Sequence, residues 1–289
     1  MSFVEDVQSK NVNIQDMVVE GHTIEFQEGL QWDYDRYNNL LAVGVRGKTN
    51  FLYSVVAGLI RTGAVVDVAQ LGAVDWVPLS YSSSLKYRVF YSKDRILRAL
   101  KSFHLEMRVR MTELRHLNVE NERVDGAYFN YDMKPHFFVI DEWASIVNSG
   151  DYKFISEVER YVKDIVLLGR SFGFQVVIAT SDPNSSVLPT IIRQQLNFRV
   201  VLGIRPDNYS LCNLSFGFVP EFLKDVDFND FLLDQNYGLG IAYMNKPVVF
   251  RVPDISDDFD IYKYFDRLGE EYPADRKRGI RELSALLID

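Results

Sequence analysis

Residues 135–143 constrain the fold most strongly, because a short apolar run there ends in two adjacent carboxylates. They read Pro-His-Phe-Phe-Val-Ile-Asp-Glu-Trp. An apolar run of this length predicts a strand buried on both faces of a parallel sheet. Asp141 and Glu142 then fall at the carboxyl end of the strand, where open α/β sheets bind ligands. Alone, the pattern leaves two interpretations: an Mg²⁺-holding acid followed by a water-polarising acid, or a solvated strand end.

A segment upstream favours the first interpretation. Residues 42–49 read Ala-Val-Gly-Val-Arg-Gly-Lys-Thr, which fits a phosphate loop written as Gly or Ala, four residues, then Gly-Lys-Thr. In such a loop backbone N–H groups wrap the β-phosphate, the lysine reaches the β- and γ-phosphates, and the threonine hydroxyl meets Mg²⁺. A short strand predicted at 37–41 precedes the loop, and apolar residues with helical spacing at 51–60 follow it, which gives the required order of strand, loop and helix. The predicted nucleotide-binding residues are Ala42, Val43, Gly44, Val45, Arg46, Gly47, Lys48 and Thr49.

The interior of this loop is unusual. Val45 and Arg46 stand where small residues are common, and the first Gly of the pattern is Ala42. An alignment that starts at Gly44 instead leaves the loop too short to wrap a phosphate. Nucleotide binding is therefore predicted, and a degenerate site that does not hydrolyse nucleotide stays open as the alternative.

The composition excludes several other classes of protein. The chain has 289 residues, 47% of them apolar, with a net charge of −8, which argues against a surface coated in positive charge for nucleic acid. The single Cys212 excludes an internal disulfide framework and a cysteine-based metal site. No apolar run reaches the roughly 20 residues of a membrane span. We expect a cytoplasmic protein that a partner recruits if it acts at a membrane.

The order of the predicted elements defines the fold class. Strands and helices alternate through the middle of the chain, which predicts an α/β fold with a mostly parallel sheet, helices on both faces and a hairpin extension at 238–252. We divide the chain into a β lead-in at 1–36, a nucleotide-binding domain at 37–255 and a helical tail at 256–289. One face of the long helix predicted at 93–116 carries six basic residues, which indicate either a solvated face or a contact with DNA or another subunit.

With both nucleotide motifs placed, the chain resembles the RecA-like motor domain of the FtsK/SpoIIIE/HerA family of P-loop ATPases, and within it the coupling proteins of Gram-positive conjugative elements. The resemblance covers about residues 31–254. It is strongest at 169–180, which read Gly-Arg-Ser-Phe-Gly-Phe-Gln-Val-Val-Ile-Ala-Thr, and at 187–199, which end in Gln-Gln-Leu-Asn-Phe-Arg. The segment Glu-Met-Arg-Val-Arg-Met at 106–111 resembles the family's Glu-Met-x-x-Arg helix.

Two positions depart from the family pattern. The family usually follows its sensor Thr with Gln, whereas Thr180 here precedes Ser181. The family's Asp-Pro-Lys is replaced by Asp-Val-Ala, so that only Asp67 is kept. These departures concern the rate of hydrolysis rather than the fold.

The resemblance implies a ring, expected to be a hexamer, with ATP and Mg²⁺ between subunits and DNA in the pore. Thr49 and Asp141 would hold the metal, and Glu142 would orient water. Thr180 would sense the γ-phosphate, and Arg199, or as second choice Arg170, would serve a neighbouring subunit as arginine finger. The implied function is an ATP-driven DNA translocase for a conjugative plasmid or mobile element, with a relaxase or membrane-embedded transfer machinery as partner.

Two alternatives to DNA translocation stay open. FtsK-like ATPases also drive protein secretion, and a degenerate member of the family would assemble or dock partners without hydrolysis.

The phosphate-loop assignment predicts that Lys48→Ala abolishes ATP turnover and leaves the fold intact, because Lys48 alone supplies the side-chain cation of the loop's Gly-Lys-Thr. Steady-state ATP turnover measures the loss of activity, and circular dichroism of the wild type and the variant measures whether the fold is intact. Turnover equal to that of the wild type would remove residues 42–49 from the site.

Overall fold

A computed structural model describes residues 13–44, 46–72, 74–203, 209–224, 239–253, 255 and 259–273. The strands in this part of the chain are β1 (Val18–Glu20), β2 (Thr23–Gln27), β3 (Leu30–Asp33), β4 (Leu40–Val43), β5 (Val65–Ala69), β6 (Val89–Phe90), β7 (His136–Asp141), β8 (Phe174–Thr180), β9 (Phe198–Leu202), β10 (Leu239–Tyr243) and β11 (Pro247–Arg251). The α-helices are α1 (Lys48–Arg61), α2 (Lys93–Glu120), α3 (Trp143–Val147), α4 (Tyr152–Leu168), α5 (Thr190–Arg193), α6 (Tyr209–Phe216) and α7 (Ile261–Glu271).

The chain divides into two compact units. The first takes residues 1–58, 141–144 and 178–261, and the second takes 59–140, 145–177 and 262–289. Strands β7 and β8 begin in the second unit and end in the first. The predicted Asp-Glu pair, which closes β7, thus belongs to the same unit as the predicted phosphate loop.

In the first unit an antiparallel hairpin continues a parallel core. Strand β4 pairs with β9 in parallel, with Leu40 opposite Phe198. Strand β10 pairs antiparallel with β9 and with β11, which confirms the predicted hairpin extension. The strand order β11-β10-β9-β4-β8 places the strand before the phosphate loop between two others. Every residue of β4 is buried, as expected for a central strand.

A small antiparallel sheet leads into this unit. Strand β2 pairs with β1 and β3, and Gly21, with a φ of 55°, lies in the turn between β1 and β2. Ile24 and Phe26 alternate with more exposed neighbours and are buried, as one face of a sheet requires. The indole Nε1 of Trp32 donates to the carbonyl of Tyr37 at 2.7 Å, which fixes the approach to β4.

In the second unit the strands order as β8-β7-β5-β6, and β5 pairs in parallel with both β6 and β7. Aromatic residues of α2 and the strands form its core. Phe103 of α2 meets Phe138 and Phe174 edge-to-face, with ring centroids 5.5 and 5.0 Å apart. Arg110 covers the other side of this cluster, 4.7 Å from the Phe174 ring, and donates to the carbonyls of Lys134 and Phe172.

The predicted α/β class with a mostly parallel sheet is confirmed, with two differences in helix length. The apolar residues at 187–196 also predict a short helix, but only α5 is helical there, because Pro189 caps its start and the chain turns again before β9. The helix predicted at 93–116 extends to Glu120. The tail helix predicted beyond Pro273 lies outside the described residues, and the three-part division of the chain stays a prediction.

A buried ion pair joins two segments of the second unit. Asp67 of β5 and Arg88, which precedes β6, are 4% and 6% exposed, and their Oδ1 and Nη1 atoms lie 3.2 Å apart. Buried charges of this kind are stable only as a pair.

We expect Asp67→Ala to lower the free energy of unfolding by about 3–5 kcal/mol, because it leaves the Arg88 guanidinium buried without its carboxylate. Urea unfolding measures the loss. The double variant Asp67→Ala/Arg88→Met removes both charges and should recover most of it. If the double variant were no more stable than Asp67→Ala, the unpaired charge of Arg88 would not be the cause of the lost stability.

Candidate functional site

The predicted phosphate loop, residues 42–49, starts within β4, which contains Ala42 and Val43, and ends in the first turn of α1 at Lys48 and Thr49. The amide of Gly44 donates to the carbonyl of Thr180 at 3.2 Å, which ties the loop to the end of β8. Gly47 has a φ of 80°, a conformation that glycine adopts without strain, and α1 begins directly after it at Lys48. The amino end of a helix offers free N–H groups to an anion. Val45 lies outside the described residues.

Gly44 is required by a close approach of two backbones. A Cβ atom at this position would lie 2.8 Å from the carbonyl oxygen of Leu202 and 3.0 Å from its Cβ. Leu202 ends β9, whose pairing with β4 fixes it in place. A side chain at residue 44 would therefore displace the loop or the strand.

Lys48 and Glu142 form an ion pair. The Nζ of Lys48 lies 3.3 Å from Oε2 of Glu142 and donates to the carbonyl of Gly44 at 2.6 Å. The two side chains are 11% and 29% exposed, so the pair is partly shielded from solvent. The structure thus brings together the two motifs that the sequence places about 90 residues apart.

Ser181 holds the other oxygen of this carboxylate, a contact that the sequence analysis did not predict. Its amide and its hydroxyl both donate to Oε1 of Glu142, at 3.0 and 3.2 Å, and the amide of Ala144 donates at 3.3 Å. The only signal in the sequence was that Ser181 replaces the Gln usual in similar chains. Glu142 itself has a φ of 76°, a left-handed conformation that is rare for a residue with a side chain.

The predicted metal ligands stand on β7 and α1. Asp141 ends β7 and is 3% exposed, and Thr49 lies in the first turn of α1. Carboxylate and hydroxyl oxygens are hard donors of the kind that Mg²⁺ takes. No group of three or more His, Cys, Asp and Glu side chains in the described part of the chain could hold a metal. Mg²⁺ at a nucleotide is commonly held by one or two protein oxygens together with phosphates and water, and Asp141 and Thr49 supply oxygens of that kind.

Thr180, the predicted sensor, closes a local turn. Its hydroxyl donates to the carbonyl of Asp182 at 3.1 Å and lies 3.2 Å from the Asp182 amide. Thr180 is fully buried, and its carbonyl accepts the hydrogen bond from Gly44. The last residue of β8 thereby connects the phosphate loop to the turn that carries Ser181.

The two candidate arginine fingers differ in their surroundings. The guanidinium of Arg199 donates to the carbonyls of Leu196 and Ser215 at 2.8 Å and to that of Arg193 at 3.2 Å. Burial, and then the charge of Arg193, lowers the pKa of this guanidinium. Arg170 is exposed and belongs to the second unit. Arg199 therefore bonds carbonyls of its own chain, and which of the two arginines serves a neighbouring subunit stays a prediction.

The strand order, with the phosphate loop after a central strand and an acid pair after another, defines a RecA-like P-loop fold. The comparisons with known proteins agree with it. No protein-family model matches the chain. The FtsK domain-containing protein YdcQ of Bacillus subtilis is 28% identical over 204 residues, which cover 70% of this chain and 42% of YdcQ. The chain thus spans less than half the length of this relative.

Solved structures share the fold at lower identity. The conjugation coupling protein TcpA of pCW3, solved with ATPγS, superposes with a TM-score of 0.64 at 17% identity, over 91% of this chain and 72% of TcpA. EssC from Geobacillus thermodenitrificans (ATPases 2 and 3) gives 0.62 at 15% identity, over 86% of this chain and 47% of EssC. The chain thus has the fold of these ATPases and is similar in sequence to an FtsK domain-containing protein, in agreement with the FtsK/SpoIIIE resemblance that its motifs predict. In the described residues no helix is both long and apolar enough to span a membrane.

We expect Gly44→Ala to weaken ATP binding, because the added Cβ would meet the Leu202 backbone and shift the loop. Losing one backbone hydrogen bond to a charged phosphate corresponds to roughly tenfold in Kd. Titration with a fluorescent ATP analogue measures the Kd of each variant. Ser185→Ala, a substitution by alanine at an exposed position, is the control and should bind the analogue as the wild type does. Wild-type affinity in Gly44→Ala would show that the approach to Leu202 does not shape the site.

Proposed function

We propose that the chain is the motor of an ATP-driven DNA translocase that serves the transfer of a conjugative plasmid or mobile element. One observation carries the proposal: the phosphate-loop lysine Lys48 lies 3.3 Å from Glu142, the acid that follows the buried Asp141. This juxtaposition supports nucleotide hydrolysis. The likeness to an FtsK-domain protein and to a conjugation coupling protein supports DNA as cargo.

Each residue of the site has a proposed role. Lys48 neutralises the β- and γ-phosphates, and the amino end of α1 and the amide groups of the loop cradle them. Thr49 and Asp141 would hold Mg²⁺, which when bound would supply positive charge against the charge that develops on the phosphates. Glu142 accepts a proton from the attacking water. Thr180 positions the turn beside the γ-phosphate.

We propose that the chain works as a ring, expected to be a hexamer, in which a neighbouring subunit completes the site. Arg170 is the proposed finger because it is exposed at the surface, where a neighbouring subunit could reach it, and Arg199 is the alternative. An arginine finger contributes roughly 10³-fold or more to the rate. A relaxase or a membrane-embedded transfer machinery would connect the ring to its cargo.

The exposed face of α2 is the proposed contact to DNA. Lys101, Arg108 and Arg115 are exposed and recur every seventh residue, so they line one face over about 21 Å. Among the described residues no carboxylate forms an ion pair with any of the three. A regular row of cations on an acidic chain suits a polyanion whose charges are evenly spaced.

Protein cargo is the second candidate, favoured by a likeness to the EssC ATPases that nearly equals the likeness to TcpA. DNA-stimulated turnover separates the two. An ATP turnover rate that is equal with and without DNA would favour protein cargo. Binding of ATP without turnover would favour an assembly module.

The test is ATPase activity at several salt concentrations with and without DNA. We expect DNA to stimulate turnover in the wild type, and Arg108→Glu/Arg115→Glu to weaken the apparent DNA affinity and reduce the salt slope by about two. Lys153→Glu/Lys163→Glu is the matched control, because it makes the same change of charge on the exposed face of α4. Equal effects of the two double variants would assign the change to net charge and exclude α2 as the DNA contact.

A further inference from the structure

We propose that Ser181 positions Glu142 for catalysis by fixing one carboxylate oxygen, so that only the other oxygen exchanges partners during turnover. This inference rests on the proposed hydrolysis at the same site. It assigns a role to the residue that replaces the Gln usual in similar chains.

The two oxygens of Glu142 have different partners. Oε1 accepts hydrogen bonds from the Ser181 amide at 3.0 Å, the Ser181 hydroxyl at 3.2 Å and the Ala144 amide at 3.3 Å. Oε2 lies 3.3 Å from the Nζ of Lys48. The first oxygen is thus bound by neutral groups of strand ends and turns, and the second by a mobile cation that nucleotide phosphates also attract.

The backbone alone does not hold this side chain. Glu142 has a φ of 76°, which is strained for a residue with a Cβ and persists only where surrounding contacts impose it. Its side chain is 29% exposed and would otherwise exchange rotamers in solvent. Two donors from one residue on Oε1 define the direction in which Oε2 faces.

Ser181 is also connected to the phosphate loop. It follows Thr180, whose carbonyl accepts from the amide of Gly44 at 3.2 Å. A shift of the loop at Gly44 would therefore move Thr180, and Ser181, which donates to Glu142, is the next residue along the chain. This arrangement couples the position of the acid to that of the phosphates.

The exchange on Oε2 follows from electrostatics. The β- and γ-phosphates carry more negative charge than one carboxylate, so Lys48 leaves Oε2 for them when nucleotide binds. Oε2 can then accept a proton from water. The oxygen of that water bonds to the γ-phosphorus, and the bond from phosphorus to the bridging oxygen breaks, leaving ADP and phosphate. Oε1 remains on Ser181 throughout.

The decisive variants are Ser181→Ala and Ser181→Thr. Ser181 is exposed, so truncation should cost little stability. Losing a hydroxyl donor to a charged acceptor should lower kcat about tenfold and change the Kd for ATP less than twofold, because the lost contact orients the acid and does not bind phosphate. Ser181→Thr keeps the hydroxyl and should restore most of kcat. Ser185→Ala, exposed on the loop that follows, is the control and should match the wild type.

A double-mutant cycle separates positioning from a general structural effect. If Ser181 acts through Glu142, Ser181→Ala should add no further loss of kcat to Glu142→Gln beyond about twofold. Wild-type kcat in Ser181→Ala, or full additivity with Glu142→Gln, would overturn the role of Ser181 while Lys48-dependent turnover left the proposed function standing. Turnover that Lys48→Ala does not reduce would overturn the proposed function itself.

Discussion

The ion pair between Lys48 and Glu142 is the interaction on which the organisation of the site depends. Lys48 begins the helix that follows β4, and Glu142 directly follows β7, so the pair forms because the sheet brings the carboxyl ends of these two strands near each other. The hydrogen bond from Gly44 to Thr180 sets a third strand end beside them. The strand order, rather than any local motif, thus brings a cation and a carboxylate within 3.3 Å in a partly buried place. Partial burial is what makes such a pair responsive to a competing anion.

Much of the fold could be predicted because it follows from periodicity. The buried apolar run in β7 reflects a strand that is covered on both faces. The alternation of buried and more exposed residues in β2 reflects a strand that is covered on one face. The length of α5 could not be predicted in the same way. Its flanks carry apolar residues such as Leu188 and Leu196, which are buried outside the helix, so apolar spacing there does not report helical structure.

The site was predicted less completely, for a physical reason that Ser181 illustrates. The loop motif reflects the backbone conformation that phosphate binding requires, and the acid pair supplies the carboxylates that a metal ion and a water require. Both therefore have a recognisable spacing in the sequence. A residue that acts by donating to another side chain has no such spacing rule. Ser181 is 39 residues from Glu142, and only folding reveals that both its donors face one oxygen. The same holds for Arg199, whose basic charge suggests a finger but whose donors meet carbonyls of its own chain.

The unusual phosphate loop fits this arrangement without contradiction. A loop must bring amide groups towards the phosphates, and the close approach to β9 falls at Gly44, where the chain does keep a glycine. The turn into α1 falls at Gly47, the other glycine, with a φ of 80°. Arg46 between them is exposed, so its bulk does not compete for the space beside Leu202. The positions that backbone geometry restricts are therefore glycine, and the larger residue stands where space allows it. The glycines at these two positions, and the lysine that reaches the acid after β7, support the prediction that residues 42–49 bind nucleotide.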